Sequence, residues 1–167
     1  MPDHLVMKLT GKVQGEIKGE CKKEGHEGQI DIHSVDFGIT VPADMNRGGG
    51  GAIGGKAQAQ LVSITKRGDA ASVRMFNAIT ANETMTEVII YYQFQGGETA
   101  EYQTHKLKDA LLTSWHQSGH ESGEPVESVT FTYAEIEVVY HEQSTDDGSL
   151  GGGITGMYRV KEGVASS

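Results

Sequence analysis

Apolar and polar residues alternate with period two along most of this chain, the spacing of strands that bury one face. His4–Thr10, HLVMKLT, is the first such run. In Gln29–Ile39, QIDIHSVDFGI, Ile30, Ile32, Ser34 and Asp36 fall on one face, while Val35, Phe37 and Ile39 continue on the other. Such a change of side predicts a bulge or a corner. Lys56–Lys66, KAQAQLVSITK, alternates small and polar residues before Leu61, Val62 and Ile64. Glu87–Gln95, EVIIYYQFQ, is rich in β-branched and aromatic residues and stops at Gly96–Gly97, a hairpin signal. Ala100–Trp115 is predicted to pair back on it as one long strand, although a helix over Lys106–Trp115 fits the same letters.

The clearest strand is Val126–His141, VESVTFTYAEIEVVYH. Val129, Phe131 and Tyr133 share one face and Ile136, Val138 and Tyr140 the other, so a bulge or strong bend is expected near Ala134–Glu135, as a barrel-like sheet requires. Thr155–Lys161 is the last strand predicted. One segment breaks the pattern. Asp69–Thr80, DAASVRMFNAIT, has Asp69 placed as an N-cap and Val73 and Phe76, with Ala70 and Asn77, at helical spacing, which predicts one short helix. No internal repeat or linker divides the chain, so residues 1–167 read as a single, mainly β domain.

Composition narrows the partners. The formal net charge of -9 argues against nucleic acid and anionic membrane surfaces, since both need a cationic face. No segment is apolar for long enough to span a bilayer. The opening MPDHLVMKLTGKVQG lacks the apolar core of a signal peptide, so synthesis in the cytoplasm is expected, with any export independent of such a leader. Cys21 is the only cysteine, which excludes an intrachain disulfide and zinc sites built on several cysteines.

Candidate chemistry begins with Arg47–Ala57, RGGGGAIGGKA, which contains Gly50-x-x-x-x-Gly55-Lys56 and Gly49-x-Gly51-x-x-Gly54. A phosphate loop needs a hydroxyl after the lysine and a helix directly after that; here Ala57 follows, then a strand pattern. No cofactor is therefore assigned. His116 and His120 would share a face only on a helix, and HQSGHESG, His116–Gly123, reads as a polar loop, so no metal is assigned. The run Lys22–Glu27 reads as a solvated hairpin tip. Cys21 lies between Glu20 and Lys22 with no obvious base, no Gly-x-Ser-x-Gly elbow occurs, and Glu135 and Glu137 read as sheet-surface acids. No catalytic residue is assigned.

Several stretches, in order across nearly the whole chain, resemble Hcp, the haemolysin-coregulated protein family that forms the inner tube of bacterial type VI secretion systems. Gly19–Glu20 looks like the family's Lys-Gly-Glu-Ser segment, with Cys21 where Ser is usual. A polar hairpin, an aromatic-bearing strand and the glycine run Gly48–Gly55 follow in matching places. SITKRGDAASVRMF looks like the family's strand, Lys, Asp and short helix, with Val73 where Pro is common. EPVESVTFTYAEIEVVYH, a Glu shortly before an alternating strand that ends in Tyr, is the most specific match.

The resemblance implies a small β-barrel of two antiparallel sheets with one flanking helix, about Asp69 to Thr80. It further implies a structural, non-enzymatic subunit: six copies close into a ring, rings stack into a tube, a contractile sheath expels it behind a VgrG-type spike, and small effectors ride in the lumen. In that frame the loop of residues 43–55, with Asn46, Arg47, Gly48, Gly49, Gly50, Gly51 and Ile53, is the candidate for contact between stacked rings, and Gln143–Gly153 is a second flexible segment. Gln117, Ser118, His120 and Ser122 are candidates for the lumen or rim. The residues alone leave open another reading, a monomeric or dimeric ligand-binding β-sandwich, for example one for carbohydrate.

Overall fold

The computed structural model describes residues 4–41, 57–96, 98–143, 150–160 and 164–166. Over these residues the architecture is mainly β, with antiparallel pairing and one short helix. Strand β1 (His4–Gly11) pairs with β2 (Gly15–Ile17) and β3 (Ile30–Ile32) on one side and with β8 (Met85–Gly96) on the other. β8 leads into β9 (Glu98–His120), with Gly96 opposite Glu98.

β9 carries the fold. Over Gln103–Lys108 it pairs with β11 (Glu135–Gln143), which continues to β12 (Leu150–Arg159) and β13 (Val164–Ser166). Over Leu111–His120 it pairs instead with β10 (Gly123–Thr132), which leads to β7 (Val62–Arg67) and β4 (Ser34–Asp36). The change of partner follows Asp109, which takes the left-handed conformation at φ 49°. The helical alternative over Lys106–Trp115 is thus excluded: this stretch is strand, and its tertiary pairing overrides any helical propensity.

Both predicted corners exist. The chain leaves β3 on the β1 side, donates the His33 N–H to the Thr65 carbonyl at 2.7 Å, and enters β4 beside β7. At Tyr133–Ala134 it passes from β10 to β11, with the Ala134 N–H bonded to the Lys108 carbonyl at 3.0 Å. The inward faces enclose one core in which Leu9, Ile30, Ile64, Met75, Ile90, Leu107, Val129 and Phe131 are fully buried. A separate ladder joins β5 (Ile39–Thr40) to β6 (Gln58–Ala59).

The helix α1 runs from Ser72 to Thr80, starting three residues after Asp69. Asp69 does not cap it directly. Its carboxylate instead accepts the Ala71 N–H at 3.0 Å, and its own N–H donates to the Ser72 hydroxyl at 2.9 Å, which locks the entry turn. The buried face is also corrected: Ser72, Met75 and Ala78 point inward, whereas Val73 is 68% and Phe76 47% exposed. Apolar residues lie all round this short helix, and the longer Met75 side fits the core.

Candidate functional site

Lys66, at the end of β7, is the most unusual residue of the interior: a lysine with no exposed surface. β7 alternates inward Val62, Ile64 and Lys66, so its register drives the ammonium into the layer between sheet and helix. Four acceptors surround Nζ: Glu127 Oε1 at 3.0 Å, Asp69 Oδ1 at 2.8 Å, the Arg67 carbonyl at 2.7 Å and the Ser72 hydroxyl at 3.2 Å. Glu127 is itself fully buried and directly opposite Lys66 across the β7–β10 ladder. Its carboxylate also accepts from Trp115 Nε1 at 3.3 Å and from Gln117 Nε2 at 2.9 Å. The centre therefore ties β7, the α1 entry turn, β10 and β9 together with saturated charge-assisted bonds. Asp69 reaches further: a Cβ on Gly19 would lie 3.0 Å from Asp69 Oδ2 and 2.7 Å from the Gln29 carbonyl, so only glycine fits there.

This arrangement organises structure and leaves little for chemistry. Lys66 has no free approach, and its partners are spent on it. The segment after Lys56 is strand (β6, then β7), so the helix a phosphate loop demands is not formed there. The glycine run itself, and with it Asn46, Arg47, Gly48, Gly49, Gly50, Gly51 and Ile53, lies outside the described residues. Its two flanks are held together, however, by the Ile39–Ala59 and Thr40–Gln58 pairs. Tyr158 donates to the Ala57 carbonyl and Tyr133 to the Gln60 carbonyl, each at 2.9 Å, which fixes the returning strand to β12 and the β10–β11 corner.

His116–Gly123 is not a loop. His116 to His120 continue β9, and a turn at Glu121–Ser122 leads straight into β10, with His120 opposite Gly123. Polar residues line both faces of this exposed hairpin end, which removes the alternation that betrays a strand. The strand does put His116 and His120 on one face, yet four residues at strand rise separate them by about 13 Å, too far to share an ion. Ser118, His120 and Ser122 are exposed; Gln117 is exposed too, but its amide is committed to Glu127. In Gln143–Gly153, residues 150–153 belong to β12, and 144–149 lie outside the described residues.

The charged run Lys22–Glu27 likewise holds a buried member. His26 is 6% exposed, bonded through Nδ1 to Gln29 Oε1 at 2.7 Å and through Nε2 to Glu101 at 2.5 Å, and packed on Tyr91. The segment before β3 is thus folded down over the sheet. Cys21 is buried there, and burial, with Asp31 adding to it, pushes the thiol above its ordinary range, an unreactive nucleophile. It is not without neighbours of interest: the ligand atoms of His4, Cys21 and Asp31 all lie within 4.8 Å of one another.

Comparisons with known proteins point one way. A family model described as "Type VI secretion system effector, Hcp" matches residues 6–140. The "Major exported protein" of Pseudomonas aeruginosa is 31% identical over 161 residues, covering 86% of this chain and 91% of that protein. Among solved structures, one described as a type six secretion system protein superposes with a TM-score of 0.89 at 23% identity, over 98% of this chain and 99% of the other. A mutant of Hcp1 from E. coli EAEC 042 gives 0.76 at 20% identity, over 94% and 98%. At those identities the superpositions speak for the fold alone, and they agree with the sheets traced above. The extent of the family match and the Pseudomonas relative decide the matter: this chain belongs to the Hcp family of type VI secretion proteins.

Proposed function

We propose that the chain, as one tube domain over residues 1–167, is the structural subunit of a type VI secretion tube. Six copies close into a ring through a heterologous interface, and rings stack into a tube that is exported. Its partners are further copies of itself, a contractile sheath, a VgrG-type spike and small effector proteins carried in the lumen. No catalytic step is assigned to it. The observation that carries this reading is the family match over residues 6–140, together with the domain's unspent apolar surface. Val73 and Phe76 on α1, Leu111 on β9 and Val126 on β10 are each more than a third exposed, a cost that burial between subunits removes.

Light scattering on the purified chain tests it. A ring elutes with a mass of about six chains, whereas a stable monomer at high concentration overturns the reading and favours a ligand-binding β-sandwich. The glycine run offers a second test. Its flanks are clamped by the β5–β6 ladder, so deleting Gly48–Gly54 is expected to leave the isolated ring intact and to weaken ring-on-ring assembly in electron micrographs. Loss of the ring itself would assign the segment to the lateral interface.

A further inference from the structure

Three side chains of different ligand chemistry, far apart in sequence, converge where the segment before β3 folds over the sheet. His4 opens β1, Asp31 is the middle residue of β3, and Cys21 lies in the covering segment, held by its N–H to the Gln29 carbonyl at 3.0 Å and by its carbonyl to the Gly28 N–H at 2.9 Å. Val6 stands directly opposite Asp31 in the β1–β3 ladder, so His4, two residues before Val6, shares the face of Asp31. We propose that His4, Cys21 and Asp31 form a binding site for one divalent transition-metal ion of the zinc type.

Three observations carry it. First, His4 Nε2 and Asp31 Oδ1 are 2.8 Å apart, yet Nε2 is buried and makes no aligned hydrogen bond among the described residues. The two atoms form a close ion pair that lacks the alignment of a hydrogen bond, and both face common space. Second, Gln93 stands directly opposite His4 on β8, on the same face, with no exposed surface; neither amide atom has a hydrogen-bond partner among the described residues. A buried amide beside a ligating imidazole is the kind of group that fixes the ring's second nitrogen, and this one is otherwise unused. Third, the cluster has an entrance: a cleft of about 360 Å³ lined by His4, Asp31, Glu20 and His33 leads to it.

The donor set chooses the metal. A thiolate with an imidazole suits zinc and its neighbours, and a sulfur ligand disfavours magnesium and calcium, which take oxygen. Tetrahedral zinc spaces its ligand atoms by roughly 3.3–3.7 Å, within reach of small side-chain rotations here. Three protein ligands leave a fourth position facing the cleft, to be filled by water. On binding, the Cys21 S–H proton is released to solvent and a sulfur–metal bond replaces it; no redox change occurs. The ion would staple β1, the covering segment and β3 together.

The test uses the untagged full chain, reduced and stripped of metal, titrated with Co²⁺. The expected result is a thiolate-to-cobalt charge-transfer band and tetrahedral visible bands that saturate at one cobalt per chain and are displaced by Zn²⁺. Zinc should also raise the melting temperature and slow alkylation of Cys21. Cys21→Ser removes the charge-transfer band, and His4→Ala and Asp31→Asn each weaken binding by at least about tenfold, while His116→Ala and His120→Ala leave it unchanged. Because Cys21 is buried and its variant can fail to fold, the half-buried His4 and exposed Asp31 carry the test in that case. Absence of the charge-transfer band in the wild type, or binding indifferent to His4→Ala and Asp31→Asn, overturns the proposal.

Discussion

Replacing Lys66 by alanine is expected to cost about 3–5 kcal/mol of stability, the range for breaking a buried ion pair by removing one partner. At this chain length that corresponds to a fall in melting temperature of roughly 6–20 °C. The reason is what the lysine leaves behind. Glu127 has no exposed surface, and without Nζ only the Trp115 and Gln117 donors remain among the described residues to hold its charge. Asp69 loses its contact as well, so the entry turn of α1 loosens at the same time. Replacing both partners, Lys66→Met with Glu127→Leu, should cost less than the sum of the single changes, since the fully buried Glu127 is then no longer left unpaired, although Asp69 still loses its cation. Denaturant melts of the four proteins measure this coupling. Additivity within about 0.5 kcal/mol would show that the pair does not act as a unit. In that light the network works less as glue than as a specification: only one docking of helix on sheet satisfies all of its members.

Acid should destabilise the domain through a different residue. His105 on β9 is 2% exposed, packed edge-on to Phe37 at 4.5 Å and to Tyr92 at 4.9 Å, and burial lowers its pKa to about 4. Gln103 Nε2 lies 2.8 Å from its Nε2, while its buried Nδ1 has no hydrogen-bond partner among the described residues. The folded pKa lies below the unfolded value of 6.5, so the unfolded chain binds the extra proton first. Stability contributed by the neutral ring is therefore complete above pH 6.5 and declines as pH falls from there toward 4, by about 3 kcal/mol in all. His105→Phe keeps an apolar ring beside Phe37 and Tyr92 and cannot titrate. The difference in unfolding free energy between wild type and variant, followed from pH 7 to pH 4, isolates this group from the carboxylates. A difference that stays flat across that window would show that the imidazole is protonated in the folded state at no cost.

The residues explain why some of this was readable in advance. The corner at Ala134 could be foreseen because Phe131 and Ile136 differ in parity and both must face the core. Hcp membership was visible in the order of short motifs, and among the described residues Gly19, crowded by the Gln29 carbonyl, shows why one of them is fixed. The burial of Lys66 was not visible, because a lysine at the end of an alternating strand is ordinarily at the surface and its two acids lie 3 and 61 residues away. The inward face of α1 went the wrong way because Val73 and Phe76 are as apolar as Met75, and over nine residues periodicity cannot rank them. His116–His120 was hidden by its solvation on both faces. The grouping of His4, Cys21 and Asp31 had no local signal at all: sheet pairing and a folded-over segment create it.

The place of β9 in the sheet order has a consequence for how the chain reaches this state. β9 cannot complete its pairing with β11 until residue 140 exists, nor β1 its pairing with β8 until residue 93 does. On a ribosome adding about 5–20 residues per second, the first half of the domain therefore waits for seconds with open backbone donors and apolar strand faces. Non-local pairing of this kind also folds slowly once the chain is released. The chain thus spends its earliest moments in the form most prone to associate wrongly, and crowding by sister chains is felt first at synthesis.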